Sequence, residues 1–261
     1  MPEGDTVWLA AQRMHDALAG QTLTRTDFRV PQLATVDLSG RTVSDVVSRG
    51  KHLLTRIGAD LTLHTHFRMD GSWHLYRQGE RWTGGPASQV RVLLENPRWQ
   101  AVGYRLPVVE LLARSDEGAA VGHLGPDLLG PGWDLDEAVR RLRADPDRAI
   151  AEALLDQRNL AGIGNLYKVE VCFLQGINPW KPVRDVADLP RLVTRARLLL
   201  EHNRHEPAQV TTGDLRRGQH HWVYGRAGRP CRRCGTTILV DGQGDPAYER
   251  VTFWCPRCQP K

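Results

Sequence analysis

Two short cysteine couplets near the C-terminal end constrain this chain most: Cys231-x2-Cys234 and, after a gap of twenty residues, Cys255-x2-Cys258. Each couplet offers two thiolates from one tight turn, and two such turns complete a tetrahedron around a single zinc ion. Because the protein fills all four positions, the expected role of that one Zn2+ is structural rather than catalytic. Two disulfides are the other use of the same spacing, and a reducing cytosol disfavours them. The fifth cysteine, Cys172, lies in the apolar stretch Val169–Leu174 and is expected in the core. Thr236–Val240 and Arg250–Trp254 are expected to form the two strands of a finger hairpin.

Charge is concentrated at the same end. From Arg216 to Lys261 there are nine Lys/Arg against three Asp/Glu, so this end carries +6 and residues 1–215 carry −1 of the total +5. A basic module beside a zinc site suits a polyanion whose phosphates it contacts. No apolar run approaches the roughly 18 residues of a membrane span. The start, Met-Pro-Glu-Gly-Asp-Thr, lacks the basic and apolar segments of a signal peptide. A cytoplasmic location with no membrane partner is expected.

Residues 5–19 read as a helix, with Val7, Ala11, Met14 and Leu18 at helical spacing and Gly20 as its stop. Short strands then follow at Thr42–Val47, His52–Ile57, Leu61–His66, Ser72–Tyr76, Val90–Leu94 and Val108–Leu112. Val90, Val92 and Leu94 alternate with Gln89, Arg91 and Leu93, the pattern of a half-buried strand. Strands at this spacing predict a sandwich or barrel. A Gly/Pro-rich connection, Gly122 to Gly132, leads into helices that start at Asp134 and cover Ile150–Leu155 and Asn165–Leu174. The expected fold is α+β and multi-domain. It has a β-sandwich unit over 1–121, a linker over 122–132, a helical unit over 133–225 and a four-cysteine finger over 226–261.

Between two of these helices runs Leu154-Leu-Asp-Gln-x-x-Leu-Ala-Gly-Ile-Gly-Asn-x-Tyr167. By themselves Gly162 and Gly164 mark a tight turn at a helix N-terminus, a place that favours an anion. The whole phrase is far more specific. It resembles the helix–two-turns–helix of the formamidopyrimidine-DNA glycosylase / endonuclease VIII family. Three more features of that family stand here in order: Met1-Pro2-Glu3-Gly4, Arg49-Gly50-Lys51, and Arg250-x-Thr252-x-x-Cys255-Pro256-x-Cys258-Gln259. Ribosomal and topoisomerase proteins share the helical motif but lack the Met-Pro-Glu start and this finger.

The resemblance implies an N-terminal helix with a two-sheet β-sandwich, then a helix–two-turns–helix domain with a zinc-finger hairpin. It implies a bifunctional glycosylase and abasic-site lyase of base excision repair, a monomer acting on damaged DNA. With Met1 removed, the Pro2 amine would attack the sugar under the damaged base and form a Schiff base. The family assigns Glu3 a proton-shuttling role, Lys51 support of the first elimination, and Arg250 the grip on phosphates during the second. Flipping a base leaves a hole, and the segment His66-Phe-Arg-Met-Asp-Gly71 matches the loop that fills it, with Arg68 and Met69 as wedges. Asn165 and His123 would hold phosphates. The zinc ligands are Cys231, Cys234, Cys255 and Cys258, with no cofactor beyond that ion.

Met-Pro-Glu-Gly is similar to the endonuclease VIII branch, and only ten residues separate Thr212 from Val223 where purine-specific relatives carry a long loop. Oxidised pyrimidines and abasic sites are therefore the expected substrates. Two departures stand out. Asp5 and Thr6 replace the branch's usual Pro-Glu, and Arg68-Met69-Asp70 replaces its Gln-Leu-Tyr. A DNA-binding paralogue that recognises damage without cutting is the competing reading, and intact Pro2, Glu3, Lys51 and Arg250 argue against it.

Overall fold

The computed structural model describes residues 2–244 and 249–261, which divide into two compact units, Met1–His123 and Leu124–Lys261. The first begins with helix α1, Gly4–Leu18, whose residues Val7, Ala11, Met14 and Leu18 recur every three or four positions and so form one buried face. Eight strands follow: β1 Arg25–Phe28, β2 Val43–Arg49, β3 His52–Ile57, β4 Leu61–His66, β5 Ser72–Arg77, β6 Val90–Glu95, β7 Trp99–Tyr104 and β8 Val108–Ala113. They form two antiparallel four-stranded sheets, ordered β1-β6-β7-β5 and β2-β3-β4-β8. One core joins them: Phe28, Val92 and Leu94 from the first sheet, Val43, Leu53, Leu63 and Val109 from the second, and α1.

The predicted alternation in β6 is only partly observed. The pairing register slips between Val90 and Val92, and such a bulge turns the following side chains to the other face. Val92 and Leu94 enter the main core, whereas Val90 joins Leu93, Tyr76, Val102 and Tyr104 in a second cluster. This strand is therefore buried on both faces instead of one. Strands β1 and β7 were not predicted, nor was the short helix α2, Glu117–Val121. Glu117 takes two hydrogen bonds from the Arg56 guanidinium of β3, at 3.0 and 2.9 Å.

The second unit holds α3 Leu135–Arg143, α4 Ile150–Leu155, α5 Asn165–Leu174, α6 Leu189–Asn203 and a hairpin of β9 Leu239–Gln243 with β10 Arg250–Trp254. Asp134 caps α3 by accepting from the Glu137 amide at 3.0 Å. Helix α6 is an addition to the expected set, and the first hairpin strand starts three residues later than Thr236. Leu142, Ile150, Leu154, Ile163, Tyr167, Leu192 and Leu200 make the helical core. Val169 and Phe173 of α5 instead pack with Val223, Ile238, Cys231 and Cys255. Helix α5 is thus covered on every side, from Asn165 to Phe173, and Cys172 is fully buried in it. Among the described residues no helix is long and apolar enough to cross a membrane.

Candidate functional site

In the N-terminal unit, Pro2 is half-buried and Glu3, fully buried, is the N-cap of α1. The Glu3 carbonyl accepts from the Val7 amide at 3.1 Å. At this N-cap position the positive end of the α1 dipole offsets part of the cost of burying a carboxylate. Met1, whose removal the family chemistry requires, lies outside the described residues.

Lys51 stands at the tip of the β2–β3 hairpin. Arg49 pairs with His52, which leaves a two-residue loop of Gly50 and Lys51. Gly50 has φ +58°, and Lys51 is not among the residues of positive φ. That sequence of signs is the type II′ pattern, which calls for glycine at its first position. Arg-Gly-Lys is therefore a device that puts a lysine at the end of a rigid ribbon.

Behind Lys51 lies a group of imidazoles of which the sequence motifs singled out only His123. His52 Nδ1 is 2.8 Å from His64 Nε2, and His64 Nδ1 is 2.9 Å from Glu110 Oε2. The His52 ring also lies 4.8 Å from that of His66 and 6.1 Å from that of the exposed His123. The β3–β4 and β4–β8 registers explain the cluster, since His52 stands opposite His66 and His64 opposite Glu110. Burial, first, and then the charge on His66 and other neighbours including Lys51 push His52 down to about 3. Burial followed by Lys51 pushes His66 down to about 4. Both rings are neutral near pH 7. The signal that could have found them was histidine at positions 64 and 66, two apart on one strand, with a third at the start of its neighbour.

The loop after β4 carries the two expected wedge residues. Phe67 is buried, the Arg68 amide donates to His66 Nδ1 at 2.9 Å, and the Gly71 amide donates to the Phe67 carbonyl at 2.9 Å. Arg105 Nε donates to the Asp70 carbonyl at 3.0 Å. Arg68 takes a left-handed backbone conformation, φ +46°. Between these anchors Met69 is 55% exposed, so it is an offered side chain and not a core methionine.

In the C-terminal unit the turns between α4 and α5 are knitted by Gln157. Its Nε2 donates to the carbonyls of Leu155 and Ile163 at 2.8 and 3.0 Å, and its Oε1 accepts from the Gly162 amide at 3.1 Å. Gly162 has φ +101°, a conformation that favours glycine. Asn165 opens α5, and its Nδ2 donates to the Val251 carbonyl of β10 at 2.8 Å. Three residues on, the fully buried Lys168 donates to Thr252 Oγ1 at 2.7 Å, and Thr252 donates to Gln243 Oε1 at 2.9 Å. The exposed Arg250 begins β10 immediately before these anchors. Asn165 and Arg250 are thus tied to one another by the strand between them.

The four cysteines converge, with all four Sγ atoms within 4.8 Å of one another, and they could hold a metal ion. Cys231 and Cys258 are 4.0 Å apart, Cys234 and Cys255 3.5 Å. These separations are far beyond the roughly 2.05 Å of a disulfide.

Residues 1–104 match the model of the formamidopyrimidine-DNA glycosylase N-terminal domain, and residues 124–201 that of the formamidopyrimidine-DNA glycosylase H2TH domain. A Streptomyces coelicolor protein named probable endonuclease 8 2 is 63% identical, over 99% of this chain and 94% of that one. A Mycolicibacterium smegmatis protein named DNA-(apurinic or apyrimidinic site) lyase Nei2 is 50% identical over 99% of each chain. The solved structure of Lactococcus lactis Fpg in complex with DNA containing an abasic site superimposes with a TM-score of 0.81. It covers 99% of this chain and 100% of that one at 23% identity.

Proposed function

Because the chain belongs to the formamidopyrimidine-DNA glycosylase / endonuclease VIII family, we propose that it is a bifunctional DNA glycosylase and abasic-site lyase of base excision repair. The observation that carries this reading is the head of α1, where Pro2 directly precedes a fully buried glutamate. Once Met1 is removed, Pro2 has a secondary amine. An α-amino group has an ordinary pKa of roughly 7.7–8, so a useful fraction is neutral near pH 7. The amine attacks C1′ and gives up its proton as the base departs; the C1′–O4′ bond then opens, Glu3 shuttles a proton to O4′, and an iminium remains. That cation draws electrons from the C2′–H bond. Lys51 supports loss of this proton and departure of the 3′ phosphate, and Arg250 assists release of the 5′ phosphate.

Arg68 and Met69 fill the gap in the duplex, and His123 and Asn165 hold phosphates. For Asn165 the hydrogen bond to Val251 engages one amide hydrogen, which leaves the second for DNA. Residues 1–121 form the catalytic unit, 122–132 the linker, 133–225 the helical DNA-binding unit and 226–261 the finger. The enzyme works as a monomer in the cytoplasm.

Oxidised pyrimidines are the favoured bases. The short segment after Thr211 supports this, because both of its ends are fixed on one buried carboxylate. Glu170 accepts from the amides of Trp222, Val223 and Tyr224 at 2.8–2.9 Å, and from the Thr211 hydroxyl. What lies between is too short to cover a purine as the long loop of purine-specific relatives does.

The cysteines hold one structural zinc. In a tetrahedral four-thiolate site with Zn–S near 2.3 Å, sulfurs sit about 3.8 Å apart, close to the spacings of 3.5 and 4.0 Å found here. Zinc supplies a cross-link that holds the hairpin, and it takes no part in the reaction. Elemental analysis should give about one zinc per chain, and folded protein without zinc would refute the assignment.

The test of the main reading is borohydride trapping on DNA with an abasic site or thymine glycol. Wild-type protein is expected to give a covalent adduct, and Pro2→Gly to give none. DNA binding without any adduct would support the non-cutting paralogue instead.

A further inference from the structure

The C-terminal unit also holds a cavity of about 720 Å³, between the segment that follows α5 and the finger hairpin. Small-molecule sites run from about 300 to 1,000 Å³, so this one suits a ligand of nucleotide size. Its walls are fixed by buried amides. Asn178 Nδ2 donates to the Gln259 carbonyl at 3.0 Å, Gln259 Nε2 to the Ile177 carbonyl at 2.8 Å, and Gln243 Nε2 to the Pro179 carbonyl at 3.0 Å. The cavity is therefore built before any ligand arrives.

Two indoles line it. The rings of Trp180 and Trp254 meet edge to face, with centroids 4.6 Å apart and planes at 73°. They make a corner in which a flat ring lying on one indole turns its edge to the other. Among the described residues nothing accepts the indole N–H of Trp180 or of Trp254, whereas those of Trp73, Trp82 and Trp222 donate to Thr65, Gln100 and Thr211. Around the corner stand two ammonium groups, Lys181 and Lys261, and two carboxylates, Asp185 and Asp241. One oxygen of Asp241 accepts from the Gly242 amide at 2.8 Å, which orients the carboxylate and leaves the other oxygen to accept. Asp185 has a long ion pair of 4.0 Å to Arg184, and neither lysine pairs with an aspartate here among the described residues.

We propose that this corner binds one nucleotide whose base carries an exocyclic amine. The base stacks on an indole, the amine donates to Asp185 or Asp241, and the phosphate takes the lysines and an indole N–H. Stacking accepts any base, whereas a carboxylate selects for an amine, which thymine lacks. Cations, carboxylates and free indole donors are thus all used by one ligand. The +6 charge from Arg216 to Lys261 favours a nucleotide over a peptide side chain. Two sources offer this chemistry, a free nucleotide and an unpaired nucleotide of a DNA strand. The inference goes beyond the lyase reading and does not need it, because none of these residues is assigned a part in that reaction.

The experiment follows the indole N–H resonances of isotopically labelled full-length protein. Trp180→Phe and Trp254→Phe each remove one resonance and so assign it. Added dCMP is expected to shift both, and to bind about tenfold more tightly than dTMP, the worth of one hydrogen bond to a charged group. Asp185→Asn combined with Asp241→Asn is expected to close that gap. Trp180→Ala should weaken dCMP binding about tenfold, and Lys181→Glu should weaken it while flattening its salt dependence. An unchanged melting temperature shows that these variants fold. A short 5′-phosphorylated oligocytidylate separates the sources: tighter binding than dCMP supports the site as a strand contact, and weaker binding supports it as a free-nucleotide pocket. Indole resonances unmoved by millimolar dCMP and by the oligonucleotide would overturn the proposal, as would equal affinity for dCMP and dTMP. So would a shift with N-acetyltryptophanamide but with no nucleotide, which would assign the corner to a peptide side chain.

Discussion

His52 and His66 are buried bases beside a lysine, and this has a cost that depends on pH. Both are held below the ordinary 6.5 in the folded chain, near 3 and 4, by burial first and by neighbouring positive charge second. Between those values and 6.5 the unfolded chain binds the protons that the folded chain refuses. Their stabilising contribution is therefore full above about pH 6.5 and is lost progressively as pH falls toward 4. Thermal melting should show a midpoint lower by roughly 5 °C at pH 5 than at pH 7, and the difference should shrink in His52→Gln. Asn165 makes a second prediction at this scale. Its bond to the Val251 carbonyl ties α5 to the strand of Arg250, one residue from the Lys168–Thr252 bond. Asn165→Ala leaves that carbonyl unsatisfied, at about 1–3 kcal/mol. Hydrogen exchange in β9 and β10 should quicken, and DNA affinity should fall with it.

At the level of elements, what could be read in advance was whatever carries its own periodicity or punctuation. Helix α1 has four apolar residues on one stripe, α3 has Asp134 as its cap, and the strand from His52 to Ile57 is bounded by turn glycines at 50 and 58. Strand β7, Trp99–Tyr104, was missed because its residues are buried by neighbours on both sides and so do not alternate. Helix α6 carried a legible start in Asp188 and Pro190, and a stripe in Leu192, Val193, Ala196 and Leu200, that went unread. For the proposed site, Pro2, Glu3, Lys51 and Arg250 come from family motifs alone, since residues scattered over separate elements leave no local pattern. The histidine cluster was hidden because register, not sequence proximity, assembles it. The β2–β3 turn gives the prediction of this scale. Gly50→Ala places a Cβ at φ +58°, which costs about 1–2 kcal/mol. The strain should displace Lys51, so strand scission should fall more than adduct formation in a single-turnover assay.

For the whole molecule, chemistry-bearing residues are divided between two compact units. The N-terminal one supplies the proposed nucleophile, the hairpin lysine and the histidines. The C-terminal one supplies the asparagine, the arginine and the four thiols. Stripping metal with a chelator should loosen the β9–β10 hairpin while the N-terminal sandwich keeps its circular-dichroism signature, because the four clustered cysteines all lie in the second unit. Within that unit, Glu170 deserves a last consequence. A single buried carboxylate fastens Thr211 on one side and Trp222, Val223 and Tyr224 on the other, so the stretch between them is a closed bight whose ends do not feel its length. Closing a loop twice as long costs only about 0.6 kcal/mol. Ten residues inserted between Gly213 and Gly218 should therefore leave the melting temperature almost unchanged. On the proposed reading, lesion choice is then a cassette that can be exchanged without refolding the helices that carry it.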